Sequence, residues 1–430
     1  MICNNISIRE NKLYFAGIDT TKLAEKYGTP LYLMDEEKIR EKCRIYTGAM
    51  SKYFGEKGCV IYAGKAASFK RIYEIMQEEN MGIDVVSVGE IYSATVAGYP
   101  LENAYFHGNN KTDYDVEFAI KNKVGYFVVD NREELEVIDR YAFANNIKQK
   151  VILRLTPGID THTYEAVNTG KVDSKFGTAI ETGQAREMVA YALTFHNIEL
   201  CGFHCHIGSQ VFDSDTFFRG SEIMIDFISS MKDEFGFVTK ILDLGGGYGV
   251  PYVESDPTID IDDNIRQVAD VIKSKCNKLG LELPKIIMEP GRSIVADAGM
   301  TLYTVGTVKK ITGYKNYVSV DGGMTDNPRF ALYGSQYTLY VANRAEEENN
   351  FKCSVVGRCC ESGDIIQEDV MLPEPTRGDV LAVCTTGAYN YSMASNYNRI
   401  PRPPVVMLNN GEDYIAVNRE TIEDIISLDV

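Results

Sequence analysis

The chain has 430 residues, enough for two domains with well-buried cores. Its 44% hydrophobic and 24% charged residues are ordinary globular proportions, and no apolar run approaches the ~20 residues of a membrane span. With 44 basic against 61 acidic residues the net charge is −17, which disfavours nucleic acid and anionic membrane as partners, since both call for a basic surface.

The N-terminal residues, Met1 to Asn5, lack the charged start and apolar run of a secretory signal. Ten cysteines are present, and the pairs Cys201/Cys205 and Cys359/Cys360 do not have structural zinc spacing. A reduced, cytoplasmic chain is expected, with most thiols acting as small core hydrophobes.

In chain order, Ile6 to Phe15 reads as a hairpin with Glu10-Asn11 at its turn, followed by a helix over Asp19 to Tyr27. From about residue 59 to 290 short β-like runs alternate with helical patterns. The runs are 59–63, 83–87, 104–107, 126–130, 151–155, 200–206, 240–244 and 285–288. Helices are predicted over 132–145, 182–195, 215–233 and 262–278. Strands joined by helical crossovers pair in parallel, and apolar runs with little alternation suit a sheet covered on both faces. Eight such runs fit a (β/α)8 TIM barrel, with a doubly wound open sheet as the alternative. The connection from Thr156 to Glu199 is unusually long. Its polar first half, Pro157 to Gly177, is expected to be a rim loop at the catalytic face.

After about Ala298 the pattern changes to strand runs with turns and few helices: 302–309, 317–320, 353–356, 380–384, 405–408 and 414–417. An antiparallel β domain is expected there, taking in the N-terminal hairpin. The expected domains are therefore a barrel over 35–298 and a β domain over 1–34 and 299–430. The acidic stretch from Arg344 to Asn350 reads as a solvated loop.

Several residues in these segments carry chemistry. Lys65 follows the apolar run ending at Ala63, and a lysine at the C-terminal end of a barrel strand reaches the mouth where barrel enzymes act. Burial would free its amine for a carbonyl, although Lys65 alone also reads as a surface lysine ending a strand. Gly245, Gly246 and Gly247 end another strand, where backbone N–H groups can converge on a phosphate or make a tight turn. Glu289 and Arg292 follow the last barrel run. A carboxylate there can keep a pyridine nitrogen protonated, and the arginine can take a phosphate or carboxylate bidentately. His204 and His206 share a strand face. No third metal ligand is evident near them, so no metal is expected, and His206 better suits stacking on a cofactor ring, with Ser209 donating to phosphate. Cys360 lies among polar neighbours, in a segment that by itself also reads as a plain turn.

Taken together, these segments resemble the fold-type III pyridoxal-phosphate decarboxylases. The resemblance covers most of the chain in consistent order. It is carried by Tyr62 to Ala66, Asp84 to Glu90, Asp173 to Gly177, His206 to Gln210, the glycine triplet, Glu289 to Arg292, Arg329 to Tyr333, Cys360 to Ser362, and Gly387 to Tyr389 with Ser392 to Tyr397. It implies pyridoxal 5'-phosphate as cofactor, with Lys65 as the Schiff-base lysine. His206 would stack on the ring, and Ser209 with Gly245, Gly246 and Gly247 would hold the phosphate. Glu289 would face the ring nitrogen, and Gly291 with Arg292 would line the phosphate side. Arg292, Arg329 and Tyr333 would bind the far carboxylate of the substrate, Glu361 its far amine, and Tyr389 both cofactor and substrate. Cys360 would protonate the carbanion. The family places Cys360 and Glu361 in the neighbouring subunit's site, which implies a homodimer with shared active sites.

The implied reaction is decarboxylation of meso-2,6-diaminoheptanedioate to L-lysine, because Arg329 with Glu361 suits a second amino-acid head. The alternatives are carboxynorspermidine, D-lysine or D-ornithine as substrate, a racemase with the same cofactor, or a non-catalytic regulatory relative. Ala67, Val88, Phe330 and Cys205 depart from the family's usual residues and bear on fine substrate preference.

Overall fold

A computed structural model describes residues 2–159 and 174–430 of the chain. These form two compact units. One is Lys42–Gly249 with Thr258–Gly291; the other is Met1–Glu41, Val250–Pro257 and Arg292–Val430.

The first unit is an eight-stranded parallel barrel. Its strands are β1 (Gly58–Ala63), β2 (Gly82–Val85), β3 (Ala104–Phe106), β4 (Tyr126–Val129), β5 (Gln149–Thr156), β6 (Ile198–Cys205), β7 (Ile241–Asp243) and β8 (Lys285–Met288). Each pairs in parallel with the next, and β8 returns to pair with β1 through Ile286 and Gly58. That closing pair excludes the open doubly wound sheet. All eight predicted runs become barrel strands. The four predicted helices form as Arg132–Ala144, Gln184–Ala192, Ser214–Phe235 and Ile261–Leu279. Three of these start on an Asx cap: Asn131, Asp213 and Asp260 each accept an N–H from the first turn. Most of the predicted rim loop, 160–173, lies outside the described residues. Its far end is tied to the barrel, since Gly177 donates its N–H to Asp130 at 2.8 Å and Thr156 donates to the Phe176 carbonyl at 2.8 Å.

The second unit is built on a nine-stranded sheet whose main path runs Ile365–Leu372, Phe351–Val356, Lys315–Val320, Gly299–Ile311, Leu31–Asp35, Val405–Asn409 and Glu412–Val417. The sheet is mixed rather than antiparallel as expected. Lys315–Val320 pairs in parallel with Phe351–Val356, and Leu31–Asp35 pairs in parallel with Val405–Asn409. Leu31–Asp35, far from the rest in sequence, inserts between two C-terminal strands, antiparallel to Gly299–Ile311 and parallel to Val405–Asn409. The predicted N-terminal hairpin forms a small sheet of its own, with Glu10 and Asn11 both at positive φ. Its inward residues Ile6, Leu13 and Phe15 pack with Leu31, Leu33, Leu302 and Val406 in one core. Asp19 caps the following helix by accepting the Thr21 N–H at 2.9 Å. Among the described residues no helix is long and apolar enough to cross a membrane.

Candidate active site

Side chains alternate along a strand, so a residue two positions past a barrel-core residue points the same way, one layer higher. The buried layer inside the barrel contains Ile61, Tyr105, Val128, Ile152, Ile241 and Ile287. Two steps on from the last five stand His107, Asp130, Arg154, Asp243 and Glu289, all at the C-terminal ends of their strands. On β6 a register shift between Leu200 and Gly202 breaks the alternation, and His204 joins the ring three residues after Cys201. The inner apolar layer thus hands over to a ring of charged and polar groups where catalysis sits in barrels.

Glu289 is the centre of this ring and is 6% exposed. Its Oε2 lies 3.1 Å from His204 Nε2 in a hydrogen bond. Its Oε1 lies 2.8 Å from His107 Nε2, within ion-pair distance but off the line of a hydrogen bond, so Oε1 remains a buried acceptor without a donor. The two imidazoles meet edge to face at 5.0 Å. Three ligand-type atoms from His107, His204 and Glu289 lie within 4.8 Å of one another. The partner that His204 lacked in sequence thus comes from two distant strands, and His206 is not part of the trio.

Three buried carboxylates share this space, and they cannot all ionise freely. Burial pushes Asp84 up, and burial together with Glu289 pushes Asp243 well above the usual range. Burial works in the same direction on Glu289, but His107 and His204 more than offset it and hold its carboxyl well below the usual range. The negative charge is therefore concentrated on Glu289. His204 is held to about 4, chiefly by burial, and is neutral at physiological pH.

Lys65 is exposed in a short turn, Gly64–Ala66, directly after β1. The turn is fixed by Asp84, which accepts the Gly64 N–H at 3.0 Å. His206 follows the end of β6 and is half-buried. Burial, with the positive charges of Lys65 and Arg154 nearby, holds its imidazole well below the ordinary value. Its Nδ1 accepts the Gly246 N–H at 3.3 Å, which leaves the proton of the neutral ring on Nε2. The triplet passes between two backbones. A Cβ on Gly246 would stand 2.1 Å from the Glu289 carbonyl oxygen, and one on Gly247, at φ 117°, would stand 2.4 Å from that of Gly208. Gly291 is equally confined, 2.7 Å from the Ala63 side chain. Ser209 is half-buried two residues before the strand-like pairing of Val211 with Tyr248.

The other predicted residues lie in the second unit. Arg292 is buried, donates to the Tyr252 hydroxyl at 2.8 Å and stands 4.8 Å from the Tyr389 ring centre. Arg329 opens the short helix Arg329–Tyr333 and is 6% exposed. Its guanidinium lies over the Tyr333 ring at 4.3 Å and the Tyr389 ring at 5.2 Å. Tyr389, at φ 62°, therefore sits against both arginines. Among the described residues no carboxylate forms an ion pair with Arg329. Cys360 and Glu361 are exposed on a loop that buried Asp364 organises by accepting the N–H groups of Met324 at 2.6 Å and Cys359 at 2.7 Å. Cys360 itself donates its N–H to Asn398.

Comparison with known proteins gives this geometry a family. Residues 36–296 match the pyridoxal binding domain of the pyridoxal-dependent decarboxylases. The chain belongs to the pyridoxal-dependent decarboxylases. Over 418 residues this decarboxylase is 44% identical to the diaminopimelate decarboxylase of Bacillus subtilis, covering 97% of this chain and 95% of that one. It is also similar to the diaminopimelate decarboxylase of M. jannaschii in co-complex with L-lysine, at 33% identity and a TM-score of 0.91, covering 100% of this chain and 98% of that one. The Helicobacter pylori enzyme complexed with L-lysine gives 33% identity and a TM-score of 0.86, with 95% and 98% covered.

The residues of this decarboxylase fit the cofactor of its family. The orphaned Glu289 Oε1 calls for a buried N–H donor, and Lys65 supplies an amine at the same face of the barrel. Sequence reasoning missed His107, Arg154 and Asp243 as members of the site. Their signal was positional, a polar residue ending an apolar run on several successive strands. It also gave no role to Asp364, which shapes the Cys360 loop.

Proposed function

We propose that this enzyme, a pyridoxal-phosphate-dependent carboxy-lyase, converts meso-2,6-diaminoheptanedioate to L-lysine and CO2. The observation that carries the substrate is Arg329, a buried guanidinium stacked on two tyrosine rings with no carboxylate paired to it among the described residues. Such a group awaits an anion, and the far carboxylate of the substrate supplies one. A plain diamino acid such as lysine or ornithine would leave it unmatched. The identity to diaminopimelate decarboxylases over nearly the whole chain supports the same reading.

Pyridoxal phosphate supplies an aldehyde that joins the substrate's α-amine and a protonated ring that accepts the electron pair of the breaking bond to the carboxylate. Lys65 would hold the group through that aldehyde. His206, neutral, would stack on the ring, while Ser209, the glycine triplet, Gly291 and Arg292 would line the phosphate; within the triplet Gly245 and Gly246 give their N–H groups to Asp243 and His206. Glu289 would present an anionic oxygen to the ring nitrogen. Arg292, Arg329 and Tyr333 hold the far carboxylate, Glu361 the far amine, and Tyr389 contacts both cofactor and substrate. The Cys360 thiol would supply the proton that replaces CO2 on the substrate carbon. By the family resemblance Cys360 and Glu361 would serve the neighbouring subunit's site, which would make the working unit a homodimer.

The test is CO2 release from meso-2,6-diaminoheptanedioate, carboxynorspermidine, D-lysine and D-ornithine, with visible absorbance of the pure protein and of Lys65→Ala. Selective turnover of the first substrate and an absorbance band lost in Lys65→Ala are expected. Preference for another substrate, or no band in the wild type, overturns the reading.

A further inference from the structure

Glu289 is held by more than a partner at the ring nitrogen requires. A single carboxylate at the end of β8 would serve that contact. Here two imidazoles from opposite parts of the barrel close on it, His107 from the end of β3 and His204 from β6. All three side chains are buried. His204 uses Nε2 on Glu289 and leaves Nδ1 without a partner, a polarity that only the Glu289 contact explains. The alternation argument places His107 in the layer where the neighbouring strands carry charged groups, and the register shift on β6 brings His204 into the same layer.

We propose that His107 and His204 are positioning residues that act through Glu289: the Nε2 of His204 on Oε2 and the Nε2 of His107 beside Oε1 hold its carboxylate from two sides, as an anion, in place for the ring nitrogen of the bound cofactor. The inference rests on the reading of Glu289 given above. The groups that face this clamp from the surrounding strands and their ends are Lys65, Asp84, Asp130, Arg154, Cys205, His206 and Asp243. Of these, Asp84, Asp130 and Asp243 are acids that burial pushes toward the neutral form, which weakens their competition with Glu289 for the imidazoles. A clamp of this kind keeps the carboxylate ionised in a place where burial alone would protonate it. It also stops the carboxylate from rotating away from the ring.

The experiment reads the ring nitrogen directly. The holoenzyme is prepared with pyridoxal phosphate labelled with nitrogen-15 in the ring, and its nitrogen NMR signal is recorded for wild type, Glu289→Gln, His107→Phe and His204→Phe. A protonated signal is expected in wild type, lost in Glu289→Gln and shifted toward the unprotonated position in each histidine variant. If Glu289→Gln moves the signal while both histidine variants keep the wild-type position, the clamp is refuted and the Glu289 role stands. If Glu289→Gln leaves the signal in place, the Glu289 role itself fails, and the clamp with it. Should the histidine variants not fold, the wild-type holoenzyme labelled at histidine decides. His204 as a neutral imidazole protonated at Nε2 and bare at Nδ1 supports the clamp, and the opposite tautomer overturns it.

Discussion

A buried guanidinium stacked on aromatic rings is stable enough to fold around, yet it retains donors that stacking cannot satisfy. Arg329 is in that position between Tyr333 and Tyr389. Truncating it to alanine removes a charge-assisted contact worth about 1.5–3 kcal/mol, so kcat/KM for meso-2,6-diaminoheptanedioate falls roughly ten- to hundredfold, with L-lysine still a poor substrate. Steady-state assays on both compounds check this, and an unchanged kcat/KM removes Arg329 from the substrate contact. A few residues upstream, Asp326 is buried beneath the same segment, where it accepts the Tyr303 hydroxyl and the Gly323 N–H. Burial pushes its carboxyl up to about 7 from 3.8. Its folded value is thus above its unfolded one. The stability this group contributes is complete below 3.8 and is lost as pH rises through about 7, by roughly 4 kcal/mol at most. Asp326→Asn is therefore expected to flatten the decline in denaturation midpoint between pH 4 and 8, as urea titrations at several pH values would show.

At the level of elements, the glycine triplet shows how a strand end is shaped by its neighbours. Gly246 has the Glu289 carbonyl where a methyl would go. Gly246→Ala must push two strand ends apart, which costs about 1–3 kcal/mol or more, and loss of urea stability in the cofactor-free protein is the readout. Full wild-type stability would contradict the packing account. Barrel strands were legible in the sequence because each is an apolar run ended by a turn, as in 59–63 and 285–288. The mixed character of the second sheet was not. Leu31–Asp35 is a short, wholly buried run whose partners lie some 270 and 370 residues away. Ile365–Leu372 hides its alternation behind the polar stretch 367–369, where Asp369 takes a positive φ. Lys65, Glu289 and Arg329 could be picked out because their neighbours form recognisable segments. His107 is harder, because a histidine ending one apolar run is informative only beside the polar ends of the other strands, and its relation to Glu289 exists only once the barrel closes.

On the scale of the whole molecule, chemistry-bearing residues fall into two groups by unit. Lys65 and Glu289 belong to the barrel, whereas Cys360 and Glu361 sit exposed on a loop of the other unit. If the site is shared across a homodimer, Lys65→Ala and Cys360→Ala are each inactive alone, and mixing them after dissociation and reassociation restores up to about a quarter of wild-type activity through hybrid dimers. No recovery, with hybrids demonstrated by mass, would place both residues in one subunit's site. The confinement of Gly245, Gly246 and Gly247 has an evolutionary corollary. Because those glycines are demanded by the fold whether or not a phosphate is bound, a descendant that abandoned catalysis would still inherit them intact. Lys65, on an exposed turn under no such constraint, would be free to drift, so the lysine rather than the triplet separates a working enzyme from its silent cousins.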